Sequence, residues 1–168
     1  TLNPIAHIDL AGTIIIPSIL VYLGGLVFGW AKPVPINPNN FFRPKRAMFF
    51  VALAGPLSNL FMTLLWSLIW LLFSLMISDS SGSSLLDQFV YLMCQTGIFI
   101  NLVLMIFNLL PIPPLDGGRV LRSLVNEKYG RLIDTIEPFG IIIVIGLLVF
   151  GLFQPIFRTV QYITSILM

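Results

Sequence analysis

One apolar segment without a single charge, Ala47 to Ile77, most constrains what this chain can fold into. It is 31 residues long, whereas about 20 helical residues suffice to cross a hydrocarbon core of roughly 30 Å. Charged residues make up 10% of the chain and hydrophobic residues 57%, while a soluble domain is about 25% charged. So few charges cannot cover the water-facing surface of a soluble domain of this size. The chain is therefore predicted to be an integral membrane protein.

Further apolar segments flank this one on both sides. They are Leu10 to Trp30, Phe89 to Leu110, and Phe139 to Phe153 with a continuation towards Met168. No internal repeat or low-complexity linker separates them. We predict an all-α integral membrane fold, a polytopic helical bundle with about four hydrophobic segments, in a single domain over residues 1–168.

The first of these segments has two interpretations. Pro17 and the pair Gly24-Gly25 interrupt it, so it either crosses the membrane as a kinked helix or forms a re-entrant or extended segment near residues 1–40. Irregular backbone survives at membrane depth only where protein or a water-filled cavity surrounds it. We favour the kinked helix slightly.

The polar segments predict which way the helices run. Residues 31–46 and 111–136 each contain four Lys or Arg, whereas residues 78–88 contain none. Short loops rich in Lys and Arg remain cytoplasmic, so the first two are predicted to be cytoplasmic and the third to lie outside. Residues 119–137 are predicted to form one short amphipathic helix at the surface.

Asp116 is the first candidate for chemistry because it directly follows an apolar crossing, where a carboxylate is costly. Asp-Gly is also a common turn pair, so a solvated loop residue is the alternative. Asn108 lies eight residues earlier, with three prolines between that end the helix. Its amide can donate two hydrogen bonds, enough to hold a peptide carbonyl beside a metal. Asn101 is interpreted as making an interhelical hydrogen bond instead.

The segment NLLPIPPLDGGR, residues 108–119, resembles the Asn-x-x-Pro and Leu-Asp-Gly motif of the site-2 protease family, which are intramembrane zinc metalloproteases. Three other blocks resemble the bacterial branch of that family that lacks a PDZ domain. They are NPIAHID within residues 2–9, FGWAKPVPINP at 28–38 and AGPLSN at 54–59. The four blocks follow the family's order, so together they are strongly specific.

The resemblance implies a role for two residues. Asp116 corresponds to the third zinc ligand, after two histidines of a His-Glu-x-x-His helix, and Asn108 corresponds to a contact with substrate or transition state. Three protein ligands leave one zinc position for water, and zinc lowers the pKa of that water towards about 7. The implied activity is cleavage of peptide bonds in membrane-spanning protein substrates by metal-activated water.

This sequence departs from the family pattern because His7 is its only histidine, so it holds no His-Glu-x-x-His. The family places that helix before the NPIAHID block, and the chain starts at Thr1 rather than Met. We therefore expect an N-terminally truncated piece that is inactive alone, with the remaining Zn²⁺ ligands upstream of Thr1. His7 is interpreted as a structural histidine, and Cys94 as a buried, inert thiol.

Two other functions compete with a protease. A non-catalytic membrane scaffold or pseudoprotease of the same family would also lack the histidine motif. A transporter or channel subunit would need charged residues within its crossings, and residues 47–77 and 89–110 contain none. The net charge of +2 is too small to indicate nucleic acid, so the expected partners are the lipid bilayer and a membrane-spanning substrate. The expected location is a bacterial plasma membrane.

Overall fold

The structure, a computed structural model, describes residues 8–22, 42–77 and 84–168. These residues contain helices and no strand, which confirms the all-α prediction. In chain order the elements are a π-helical turn at Leu10–Ile15, α1 at Ile16–Tyr22, α2 at Pro44–Met76, α3 at Leu85–Leu109, α4 at Asp116–Leu124, α5 at Glu127–Ile136, a 3-10 turn at Glu137–Phe139, α6 at Gly140–Val149, and α7 at Gln154–Leu167.

The chain divides into two compact units, Thr1–Asn40 and Phe41–Met168. Of the first unit the structure describes the π-helical turn and α1, which form one continuous helical segment. The predicted crossing at Leu10 to Trp30 continues beyond Tyr22 into residues outside the described part of the chain. His7 and most of the predicted loop at 31–46 also lie outside the described residues.

The second unit is built on a hairpin of two long apolar helices, α2 and α3. Among the described residues these two helices are long and apolar enough to cross a membrane, and α5 with α6 would add a third crossing if that pair, bent by 67°, forms one span. Ser84 starts α3 with a capping box, in which its hydroxyl accepts from the amide of Asp87 at 3.1 Å. A Cβ on Gly97 would lie 2.6 Å from the Trp66 ring, so the missing side chain lets the two helices approach closely.

The buried core lies between α3 and α7. Ile98, Leu102 and Val160 are almost completely excluded from solvent. At one end of this contact the ring of Phe107 packs against Phe153, with ring centroids 4.7 Å apart. Most other large apolar side chains of α2 and α3 are exposed, as expected for surfaces that face lipid.

Two details of the predicted C-terminal half are wrong. Residues 119–137 form two helices: α4 ends at Leu124, and Asn126 starts α5 by accepting a hydrogen bond from the amide of Tyr129 at 3.3 Å. The last apolar segment is also not one helix to Phe153, since α6 ends at Val149. Gly151 then adopts a φ of +71°, a conformation that ends helices and favours glycine.

A network of ion pairs joins the starts of α2 and α5. The ammonium of Lys45 lies 2.8 Å from a carboxylate oxygen of Glu127. The guanidinium of Arg122, in α4, pairs with Glu127 at 3.2 Å and with Asp134 at 2.8 Å. A Cβ on Gly130 would overlap this guanidinium. The two predicted basic segments, residues 31–46 and 111–136, therefore both contribute to one charged end of the helix hairpin. This is expected if they lie on the same side of the membrane.

Glu127 gives this network a predictable pH dependence. Hydrogen bonds from Lys45 and Arg122 hold the pKa of the Glu127 carboxyl below its ordinary value. Because the pKa of Glu127 is lower in the folded than in the unfolded protein, its ionised carboxylate stabilises the fold. This stabilisation is complete above the unfolded pKa of about 4.3 and is lost as the pH falls through the folded pKa. We expect Glu127→Gln to speed amide hydrogen exchange in α5 at pH 7, and the difference from the unsubstituted protein to disappear in acid.

Asp87→Asn is the matched control for this experiment, because Asp87 lies in the first turn of α3 and belongs to none of the three ion pairs. It should leave exchange in α5 unchanged at every pH. Equal exchange rates in the Glu127 variant and the unsubstituted protein at pH 7 would contradict the stabilising role of the network.

Candidate functional site

A rigid turn between α3 and α4 positions Asp116. The helix α3 ends at Leu109, and the amide of Ile112 donates to the carbonyl of Leu110 at 2.7 Å. The amide of Leu115 then donates to the carbonyl of Ile112 at 3.0 Å. Prolines at the intervening positions stiffen the turn. Asp116 becomes the first residue of α4, where the positive end of the helix dipole favours a negative charge.

The two glycines after Asp116 allow the turn to fold back against α4. Both are buried. A Cβ on Gly117 would overlap the carbonyl oxygens of Leu109 and Leu110, and one on Gly118 would lie 2.5 Å from the backbone nitrogen of Pro113. Only glycine permits this approach, so the Gly117-Gly118 pair is part of what fixes the position of the carboxylate.

The carboxylate of Asp116 lies directly against the backbone of α2. A Cβ on Gly55 would be 2.7 Å from its Oδ2 atom, so Gly55 leaves the space that the carboxylate occupies. Burial raises the pKa of the Asp116 carboxyl, and the nearby Arg119 guanidinium opposes this shift. Among the described residues Arg119 forms no ion pair within 4.0 Å. The Asp116 carboxylate is thus partly desolvated and has no ion-pair partner within 4.0 Å among the described residues. A bound cation would stabilise a carboxylate in this state.

The contact with Gly55 places Asp116 well away from the charged end of the hairpin. The helix α4 runs antiparallel to α2, with its C-terminal residues Ser123 and Leu124 beside Lys45 and its first residue beside Gly55. Gly55 lies ten positions after Lys45 in α2, a distance of about 15 Å at 1.5 Å per residue. The intervening residues of α2 from Ala47 onwards are uncharged. The Leu-Asp-Gly segment is therefore at the end of α3, as predicted, and is also recessed along α2.

Asn108 is the next-to-last residue of α3 and is half-buried. Within the described ranges its side chain makes no hydrogen bond, so its amide is free to bind another group. Asn101 differs, because its amide donates to the carbonyl of Gly97 in the same helix at 2.8 Å. The predicted interhelical hydrogen bond of Asn101 is therefore wrong, whereas Asn108 retains the properties of a binding residue.

A carboxylate fits zinc as one ligand of three or four. No group of three His, Cys, Asp or Glu side chains that could hold a metal occurs among residues 8–22, 42–77 and 84–168. Cys94 is fully buried in α3, as predicted. Asp116 is thus the one described residue of the predicted metal site, and His7 lies outside the described residues.

Sequence reasoning missed two glycines that shape this site. Gly55 was noted only as part of the AGPLSN block, yet it lies against the Asp116 carboxylate. Gly140 was given no role, although a Cβ there would overlap the carbonyl oxygen of Pro113. The AGPLSN block was a signal for the first. No sequence signal indicated the second, since the contact depends on how α6 meets the turn.

Comparison with known proteins shows the family of this sequence. The model of Peptidase family M50 matches residues 17–151. A protein of Bacillus subtilis (strain 168), named "Putative zinc metalloprotease YwhC", is 38% identical over 154 residues, 89% of this chain and 64% of that protein. "Zinc metalloprotease MJ0392" of Methanocaldococcus jannaschii is 31% identical over 111 residues, 65% of this chain and 30% of that protein.

This chain therefore spans less than two thirds of the length of either relative. No solved structure matches it. The family match covers most of the chain, including the α2–α3 hairpin, the turn and Asp116. The resemblance seen in the sequence motifs is confirmed, and the chain belongs to peptidase family M50.

Proposed function

We propose that this chain is part of an intramembrane zinc metalloendopeptidase that hydrolyses peptide bonds of membrane-spanning proteins. The observation that carries the proposal is the partly desolvated Asp116 carboxylate, seated against Gly55 about 15 Å along α2 from its charged end. This carboxylate forms no ion pair within 4.0 Å among the described residues, which supports a metal ligand. The names of the two relatives support the same activity.

Zinc, when bound, would activate water for attack on a peptide carbonyl. Asp116 would supply one carboxylate ligand, which the first turn of α4 and the backbone at Gly55 hold in place. With one histidine in 168 residues, this chain does not supply the two histidine ligands, so the proposal takes them from residues outside these 168. The protein that includes those residues is called the intact protein below. On this proposal these 168 residues contribute one zinc ligand and are inactive without the others.

Asn108 would donate hydrogen bonds from its side-chain amide to the substrate carbonyl. The amide is half-buried near the turn that carries Asp116, and no described side chain or backbone group occupies it. A donor fixed on a helix and aimed at developing negative charge lowers the barrier to acyl transfer. Substrate binding in an extended form would expose the carbonyl to both groups.

The same arrangement supports a location for the site. We propose that the ion-pair network of Lys45, Arg122 and Glu127 lies on the cytoplasmic side of a bacterial plasma membrane, because segments rich in Lys and Arg stay there. Asp116 would then lie below that surface, within reach of a substrate helix that has partly unwound.

The alternative function is a pseudoprotease that acts as a membrane scaffold. The missing His-Glu-x-x-His favours it. Zinc analysis of the intact protein separates the two functions. A protease should bind about one zinc ion per protein molecule, held by three or four ligands. It should also cleave a membrane-spanning substrate in proteoliposomes. Purified intact protein without zinc, and without cleavage after zinc is added, would establish the scaffold.

Asn108→Ala in the intact protein should lower kcat by about 100-fold or more, the usual cost of removing one oxyanion donor. Zinc content should stay unchanged, because the proposed role is contact with substrate. Asn101→Ala is the matched control, since its amide already bonds within α3, and it should retain activity. Loss of zinc in the Asn108 variant, or equal kcat in both variants, would contradict the assignment.

A further inference from the structure

The charged end of the hairpin contains a groove that the protease function does not use. It has a volume of about 300 Å³ and lies between the first two turns of α2 and the last turn of α4. Its lining combines two cations, two aromatic rings, one hydroxyl and one aliphatic side chain: Lys45, Arg46, Phe49, Phe50, Ser123 and Leu124.

The charge of the groove is positive and only partly neutralised. The ammonium of Lys45 is held by Glu127 at 2.8 Å. Arg46 is exposed and forms no ion pair with any residue in the described ranges. No acidic residue lines the groove. A guanidinium presents a planar fork of donors that binds phosphate in a bidentate manner, so an anionic phosphate complements this end.

The other half of the groove is apolar and exposed. The rings of Phe49 and Phe50 meet edge to face with centroids 5.4 Å apart. Phe50 and Leu124 are each 69% exposed, which is costly in water but not against hydrocarbon. A free phosphate or a soluble anion would leave this surface uncovered, whereas an acyl chain would cover it.

The groove lies where α2 changes from charged to uncharged residues. The helix α2 begins at Pro44 and becomes uncharged from Ala47, so Arg46 marks the boundary between polar and apolar surface. We propose that this groove binds an anionic phospholipid, with its phosphate on Arg46 and an acyl chain on Phe50 and Leu124. The lipid would contact α2 and α4 together, at the end opposite to the recessed Asp116.

The test measures lipid binding to the purified intact protein in detergent by native mass spectrometry. We expect phosphatidylglycerol to remain bound in preference to phosphatidylcholine. Arg46→Gln should weaken phosphatidylglycerol binding about tenfold, the loss typical of a charge-assisted hydrogen bond. Phe50→Ala should weaken it too. Arg158→Gln, at an exposed cation in α7 outside the groove, should have no effect.

Three results would overturn the proposal. One is equal retention of the two lipids, and another is an equal loss in the Arg46 and Arg158 variants, which would indicate unspecific attraction. The third is binding of inorganic phosphate that Arg46→Gln abolishes while Phe50→Ala leaves lipid binding unchanged, which would indicate an ion site. Far-ultraviolet circular dichroism of each variant checks that its helices are retained.

Discussion

Asp116→Asn in the intact protein should lose zinc and the ability to cleave a membrane-spanning substrate. Replacing a residue that only hydrogen-bonds to a metal ligand already lowers metal affinity by about 10- to 100-fold. Loss of a ligand itself should therefore weaken zinc binding by about 100-fold or more. The neutral amide keeps the shape of the carboxylate beside Gly55. Zinc per protein, measured by inductively coupled plasma mass spectrometry after dialysis, and cleavage in proteoliposomes are the two readouts.

The fold itself should tolerate this substitution. Burial raises the pKa of the Asp116 carboxyl, which means that the surroundings disfavour its charge in the absence of metal. A neutral amide removes that cost, so the zinc-free variant should be as stable to heat as the zinc-free unsubstituted protein or more stable. Loss of zinc together with an unchanged or higher Tm therefore identifies a ligand rather than a folding defect.

Asp87→Asn is the matched control for this experiment. Asp87 is also an aspartate in the first turn of a helix, but at the opposite end of the α2–α3 hairpin, where it accepts a hydrogen bond from the amide of Ser84 at 2.8 Å. An asparagine can accept the same bond. The control should keep zinc and activity. Full zinc content and activity in the Asp116 variant would reject Asp116 as a ligand.

The two long helices were predictable because lipid imposes one simple condition on sequence. Every backbone group of a crossing must be bonded internally, so a long segment without charge has to be a helix. The segment from Ala47 to Ile77 became α2, which starts three residues earlier at Pro44. The hydrophobic pattern could not show this start, because Pro44 to Arg46 are polar or ring residues that fit the first turn of a helix.

The break between α4 and α5 was missed for a different reason. Both helices are amphipathic, so the pattern of polar and apolar residues continues across Val125 and Asn126. The signal was the pair Asn126-Glu127, since asparagine followed by an acidic residue is a common helix start. A capping signal therefore identifies this helix boundary, which the hydrophobic periodicity alone does not show.

The sequence could propose which residues form the candidate site, but not how they pack. Motifs identified Asp116 and Asn108, because their residue types and spacing are local. The contact between the Asp116 carboxylate and Gly55 joins two segments that are far apart in sequence. Such a contact depends on the register of α4 along α2, which no local pattern encodes. The AGPLSN block indicated the family, but not which side chain would pack against its glycine.

Gly55→Ala should displace the Asp116 carboxylate and weaken zinc binding by about tenfold or more, a loss typical of a disturbed ligand environment. The added Cβ would lie 2.7 Å from Oδ2, so the carboxylate has to move. Alanine also favours a helix interior over glycine by about 1 kcal/mol. The substitution should thus lower zinc affinity and cleavage while leaving the fold of α2 intact.

Gly146→Ala provides the matched control, because a Cβ there meets no atom within 4 Å. It lies inside α6 and gains the same helix propensity, so zinc affinity should remain unchanged. Competition with a metal chelator measures affinity in both variants, and circular dichroism measures helix content. If both alanine variants hold zinc equally well, Gly55 does not position the carboxylate. If only Gly55→Ala loses affinity with its helix content intact, the contact between α2 and Asp116 is part of the metal site.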